Sequence, residues 1–177
     1  TDWLGRKKVM IIAAILFFVS AIGTALPNDI WTLILFRTIG GLGIGTASSA
    51  CPLYIAEITP ARIRGRMISV NQFAIVSGIL GVFFVNYFIA LQGDETWNQN
   101  VGWRWMFGSG VFPSVVLFVL LLFVPESPRW LVKQNRTREA ETILTRVNGP
   151  DRARAELEEI RQAISQESGS LAQLFHP

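Results

Sequence analysis

Charge is what this sequence is short of. Asp, Glu, Lys and Arg make up 16% of its 177 residues, against roughly 25% in ordinary soluble domains. A single histidine, His176, and a single cysteine, Cys51, stand in the whole chain. One cysteine excludes an internal disulfide, and these two residues are too few for a His/Cys metal cluster. No nucleophile–base pair falls within the apolar runs, so an embedded enzyme would lack its machinery. The net charge of +3 would suit a nucleic-acid binder, but the basic residues flank apolar runs and do not line one face. Nucleic acid is therefore not an expected partner. No cleavable signal peptide opens the chain. With Thr1 at its start and an apolar cluster just before Pro177, it reads as an interior piece of a longer protein.

What is abundant is apolar. Half of the residues are hydrophobic, with six Trp and twelve Phe. A membrane-crossing helix needs about 20 consecutive apolar residues. Four segments reach that length, at 9–26, 30–56, 67–92 and 105–124. Up to Ala56 and Val124, none contains an acidic residue, and only the second contains a base, Arg37. The expected fold class is all-α and membrane-embedded: a loop over 1–8, four spans over 9–124, and a polar helical module over 125–177.

Lys and Arg in the short loops give the orientation. Arg6, Lys7 and Lys8 precede the first span; Arg62, Arg64 and Arg66 follow the second; Arg129, Lys133, Arg136 and Arg138 follow the fourth. The loops "PND" (27–29) and "GDETWNQN" (93–100) have no basic residue, although Arg104 follows the second of them closely. The basic loops, 1–8, 57–66 and 125–177, are thus expected in the cytoplasm of a plasma-membrane protein (the inner membrane in a Gram-negative cell). Trp31, Trp97, Trp103 and Trp105 gather near the outer boundary, as interfacial aromatics do.

The module is expected to hold two amphipathic helices. Ala140, Ile143, Leu144 and Val147 form an i, i+3, i+4, i+7 stripe, ended by Asn148, Gly149 and Pro150. Asp151 is expected to cap a second helix with Leu157, Ile160 and Ile164 on one face. "SQESGS" (165–170) reads as a hinge before a further amphipathic piece, "LAQLF".

Polar and small residues inside the spans raise narrower questions. Gly41 and Gly45 form a small-xxx-small pair, expected to let helices approach closely. A phosphate-cradling loop would need a preceding strand and a G-x-G-x-x-G spacing, and the sequence has neither. Asn71, Gln72, Ser77 and Asn86 punctuate the third span. They suit interhelical hydrogen bonds and a hydroxyl-rich ligand equally, since Gln72 offers both donor and acceptor. Arg within the bilayer costs from about 3 kcal/mol on insertion scales to more than about 10 on an isolated helix. Arg37 either snorkels to the outer headgroups or faces a hydrated cavity and pairs with an acid. Any acid within hydrocarbon would have to come from a helix outside this sequence.

The loop motifs narrow the field. "DWLGRKK" (2–8), "PLYIAEITPARIRGR" (52–66) and "PESPRWL" (125–131) occur with "RTIGGLGIG", "NQFAIVSGIL" and "GWRWMF" in one order and spacing. Together they resemble the sugar-porter family of the major facilitator superfamily, above all its bacterial proton-coupled xylose and hexose members. The resemblance implies helices three to six of a twelve-helix carrier, joined to part of the helical linker between its halves. It implies transport of a pentose or hexose by alternating access, as proton symport, with no cofactor and no metal. A facilitative uniporter and a non-transporting sugar sensor are the alternatives it leaves. By motif it places Gln72, Ile75 and Ile79 at the sugar and Arg37 at proton coupling, beside a carboxylate on the first helix whose pKa the cation would depress. Asp2, Arg6, Glu57, Arg64, Gly65, Glu126 and Arg129 fall in a cytoplasmic gate network. The implied partners are a monosaccharide, membrane lipid and the remaining helices of the same carrier.

Overall fold

The computed structural model describes residues 3–60 and 62–174. Four stretches are long and apolar enough to cross a membrane: Arg6–Ala25, Ile30–Ile58, Arg64–Ala90 and Glu95–Phe123. The first three are single helices, α1 (Arg6–Ala25), α2 (Ile30–Ile58) and α3 (Arg64–Ala90). Pro27 cannot continue α1. Asp29 then caps α2, its carboxylate accepting the Thr32 amide at 2.9 Å and the Thr32 hydroxyl at 2.7 Å. That hydroxyl, more than the amide, holds the Asp29 carboxyl below its ordinary value. At 1.5 Å per residue the 29 residues of α2 run about 44 Å, longer than the roughly 30 Å of hydrocarbon. Glu57, near the end of α2, therefore projects beyond the apolar layer.

The fourth span is segmented. It comprises α4 (Glu95–Trp97), a π-helical turn (Asn98–Gly102), α5 (Trp103–Gly108) and α6 (Val111–Phe123). The sequence reading of 93–100 as loop and of a start at Trp105 is corrected here. Asp94 caps α4 by accepting the Trp97 amide at 2.8 Å, and Asn98 Nδ2 donates to the Ala90 carbonyl at 3.0 Å. Polar residues that read as a loop thus wind the chain into the span. A second irregularity parts α5 from α6, where Gly110 N donates to Phe107 O at 3.1 Å.

Helix α1 is the hub, packed against α2, α5 and α6. Val9, Met10, Ala14, Ala50, Tyr54 and Leu121 form the buried cluster between them. Large side chains such as Phe73, Phe83, Phe112 and Phe123 point outward, which costs little where the solvent is itself apolar. Helix α3 lies at the margin and buries no residue.

The close approach of α1 and α2 uses other glycines than those expected. A Cβ on Gly41 or Gly45 would meet nothing within 4 Å. One on Gly40 would strike Ser20, and one on Gly43 would come within 3.0 Å of Phe17 and 3.3 Å of Leu16. Residues 40 and 43 share one stripe of α2, while 41 and 45 are turned roughly 150° from it at 3.6 residues per turn. The helix-packing role assigned to Gly41 and Gly45 is therefore not exercised among the described residues.

Three helices follow the last span: α7 (Pro128–Lys133), α8 (Thr137–Asn148) and α9 (Pro150–Leu174). Trp130, Leu131, Ala140, Leu144, Ala153 and Leu157 close a separate small core, with Ile143 and Ile160 packed against it. Val147, on the expected stripe, remains 45% exposed. Two expectations are corrected. Helix α9 begins at Pro150, so Asp151 lies in its first turn and not ahead of it. The backbone also runs helically through 165–170 to Leu174, leaving no hinge there. Glu, Gln and Ser on a solvated face are as compatible with a helix as with a loop. Phe175 and His176 lie outside the described residues.

Overpacking a tight helix contact costs about 1–3 kcal/mol. Gly40→Val is accordingly expected to lower the detergent melting temperature of the protein by several degrees, and Gly41→Val by less. A thermal-shift series on the two variants measures the difference.

Candidate functional site

Charged side chains gather where the basic ends of α1, α2 and the fourth span meet. Glu126 follows the fourth span, and its Oε1 accepts the backbone amides of Arg6 at 2.9 Å, Lys7 at 3.0 Å and Ser127 at 2.9 Å. Two of these amides open α1, so the carboxylate sits at a helix N-terminus, where orphan donors and the helix dipole favour an anion. Gly5 permits the approach: its φ is 88°, and a Cβ there would lie 2.5 Å from Glu126 Oε2. Both facts demand glycine.

The side chain of Arg6 turns away from its own helix end toward Glu57. Its Nε donates to Glu57 Oε2 at 3.0 Å and its Nη2 to Oε1 at 2.9 Å, the two-pronged geometry that suits guanidinium and carboxylate. The pair is shielded, with the Arg6 and Glu57 side chains 4% and 5% exposed. Ser127 Oγ donates to Glu57 Oε2 at 2.5 Å and accepts the Trp130 amide at 3.4 Å, which ties α7 into the cluster. Tyr54 OH donates to Pro125 O at 2.9 Å, and Lys7 Nζ donates to Leu122 O at 2.9 Å.

Of the residues assigned to the gate network, the structure brings Arg6, Glu57 and Glu126 together directly. Arg64 and Arg129 line a cavity of about 270 Å³ with Glu57, Glu156 and Glu159. Among the described residues nothing lies within 4 Å of where a Cβ on Gly65 would stand, and Asp2 lies outside the described residues. Sequence reasoning missed Gly5, Ser127 and Tyr54. Gly5, immediately before a basic triplet, was the available signal, as a helix start held by an anion from elsewhere needs a close backbone approach. The network is also drier than the loop positions suggested.

The residues assigned to sugar sit apart from this cluster. Gln72, Ile75 and Ile79 share one face of α3 and are exposed, the two isoleucines by 50% and 55%. Arg37 meets an aromatic ring in place of an acid: its Cζ lies 5.2 Å from the centroid of Phe107 on α5. At the opposite end of the spans Arg104 Nη1 donates to Ala25 O at 3.4 Å and its Cζ lies 4.6 Å from the Trp103 ring. Among the described residues no three His, Cys, Asp or Glu side chains are grouped to hold a metal.

Four apolar spans and a braced set of charged loops at one end define part of a helical membrane protein. The chain matches the family described as "Sugar (and other) transporter" over residues 1–176, and it belongs to that family. It is 47% identical over its whole length to the arabinose-proton symporter of Bacillus subtilis and 42% identical over 90% of its length to the D-xylose-proton symporter of Escherichia coli. It spans 38% and 36% of those two proteins. Among solved structures it resembles the proton:xylose symporter XylE of the major facilitator superfamily bound to 6-bromo-6-deoxy-D-glucose. There the TM-score is 0.93 and the identity 39%, over 98% of this chain and 40% of that one. A partially occluded inward open form of XylE from E. coli gives a TM-score of 0.91 over 97% of this chain and 44% of that one. These relatives are transporters and not enzymes, and the four spans belong to a major facilitator fold.

Removing one partner of a buried ion pair costs about 3–5 kcal/mol, because the other charge is left uncompensated. Glu57→Ala should therefore destabilise the folded transporter by that order, whereas Glu57→Gln, which keeps one acceptor for Arg6, should cost less. Chemical denaturation in micelles, followed by tryptophan fluorescence, orders the two.

Proposed function

We propose that the full protein carries a monosaccharide, pentose or hexose, across the plasma membrane by alternating access, coupled to a proton. The observation that carries this reading is the likeness over 98% of the chain to a sugar-bound proton:xylose symporter, at 39% identity. In this reading the exposed face of α3 offers Gln72 to sugar hydroxyls and packs Ile75 and Ile79 along the apolar side of the ring. Segments beyond this sequence supply the opposite wall and the acid that faces Arg37. The basic loops lie in the cytoplasm, lipid covers the outward aromatic surface, and the module over 125–177 links the two halves.

The Arg6–Glu57–Glu126 cluster has a specific place in such a cycle. All of its members belong to this chain, so it braces one bundle and does not bridge two. A bundle braced at its cytoplasmic end can rock as one body about a midplane site. Arg64 and Arg129, at the rim of the cavity bounded by α9, are the positions placed to exchange partners as the bundles close.

A facilitative uniporter is the second reading. An acid facing Arg37 from a helix outside this sequence would speak against it. The two part on one experiment: uptake of a labelled pentose and hexose panel by the full-length protein, with and without a protonophore. Symport gives accumulation above equilibrium that collapses with the protonophore, and uniport gives equilibration that ignores it. Two variants test the site. Gln72→Ala removes hydrogen bonds worth about 1.5 kcal/mol in sum, so the sugar dissociation constant should rise about tenfold, measured by tryptophan quenching. Arg37→Leu should depress proton-driven accumulation more than counterflow exchange; an equal loss of both would mark Arg37 as structural.

A further inference from the structure

The surroundings of Arg37 hold more than one contact. Arg37 lies about two helical turns into α2, with its Cζ 5.2 Å from the Phe107 ring centroid. Phe107 in turn packs edge to face on Trp103, their centroids 6.2 Å apart and their planes at 79°. The Trp103 ring carries a second guanidinium, Arg104, at 4.6 Å, and Arg104 reaches back to Ala25 O at the end of α1. Two cations thus close the two ends of one aromatic pair. The face of an aromatic ring attracts a cation within about 6 Å, and more strongly once water is removed.

Phe107 is also set at a break. Its carbonyl accepts the Gly110 amide at 3.1 Å, and Ser109 N donates to Trp105 O at 2.8 Å, in the turn where α5 gives way to α6. Phe107 therefore stands at the irregular turn that parts the two halves of the fourth span. The charged groups on the neighbouring elements do not compete for Arg37. Asp29, at the head of α2, is engaged by Thr32. Arg104 on the fourth span is itself a cation, and Glu95 precedes the π-helical turn. Arg6, Lys7 and Lys8 of α1, Glu57 of α2 and Arg64 and Arg66 of α3 stand at the opposite end of the spans. Among the described residues no hydrogen bond or ion pair joins Arg37 to a carboxylate.

We propose that Phe107 is a positioning residue for the coupling arginine: its ring holds the Arg37 guanidinium at the seam of the second and fourth spans, ready to be taken by a carboxylate. This rests on the proton-symport reading. The ring attracts the cation without neutralising it, so Arg37 keeps its full charge for the acid. An aliphatic residue at 107 would fill the same space and release the guanidinium toward the outer headgroups.

The test uses the full-length transporter in proteoliposomes with radiolabelled arabinose and xylose. Phe107→Leu and Phe107→Tyr are compared with wild type for proton-driven accumulation, counterflow and the pH profile of uptake. The expected result is that Phe107→Leu lowers accumulation at least fivefold more than it lowers counterflow and displaces the pH profile. Phe107→Tyr, which keeps the ring face, should stay within twofold of wild type on both and leave the profile in place. A coupled wild type with an unaltered Phe107→Leu overturns the role of Phe107 alone. Equal loss of accumulation and counterflow in Phe107→Leu, with no displacement of the profile, makes the ring a packing element and also overturns it. A wild type whose uptake ignores the proton gradient overturns the symport reading, and the role built on it.

Discussion

One carboxylate holds the ends of the helices in place. Glu126 Oε1 takes amides from the start of α1 and the start of α7, so the chain closes on itself after a separation of 120 residues. Hydrophobic force does not drive helices together inside lipid, because the tails are as apolar as the side chains. A membrane bundle must therefore be aligned by close packing and by polar contacts, and the strongest polar contacts can form only where the helices leave the hydrocarbon. The anion at the head of α1 and the buried Arg6–Glu57 pair meet that requirement at one end. The Arg104–Ala25 contact does so more weakly at the other.

The same constraint explains why α3 buries nothing. A soluble protein could not leave such a helix open, since its apolar surface would face water. In a bilayer the helix can wait for partners at no solvation cost, and its polar side chains mark where those partners come. Gln72, Ser77 and Asn86 are a poor match for lipid. In the proposed function, their placement on the helix with the least internal packing suits a face reserved for a ligand and for the other half of a carrier.

How much of this was legible in the sequence depended on the kind of signal. Spans were legible because hydropathy over about 20 residues is a bulk property. The gathering of Arg6, Glu57 and Glu126 was implied by the family motifs, while the alternation of basic loops placed only their three loops on one side. Gly41 and Gly45 misled because a four-residue spacing states that two residues share a face, not which face meets a neighbour; Gly40 and Gly43 hold the phase that does. The start of the fourth span was missed because Asp94 and Asn98 act as caps and side-chain anchors, and the same residue types also make loops. Gly5 was passed over because its need is set by a residue more than a hundred positions away. The unbroken α9 contradicts a hinge inferred from polarity alone. Solvated helices and loops share that composition, and only the apolar spacing separates them.

The aromatic contact of Arg37 bears on how a buried cation can be kept available. A guanidinium locked to a carboxylate in a medium of low polarity is held by a large Coulomb term, and separating the two would oppose any cycle that must do so at each turn. A guanidinium left without partners would draw water and headgroups inward. A ring face is intermediate: it offers attraction over several ångströms, no proton to exchange and no fixed hydrogen-bond direction. Such a partner keeps the cation inside the protein while leaving all five of its donors free to bond. In the proposed cycle the ring therefore keeps the arginine while its carboxylate is protonated and neutral, and yields it once the carboxylate is charged. A single protonation event then decides where the arginine goes.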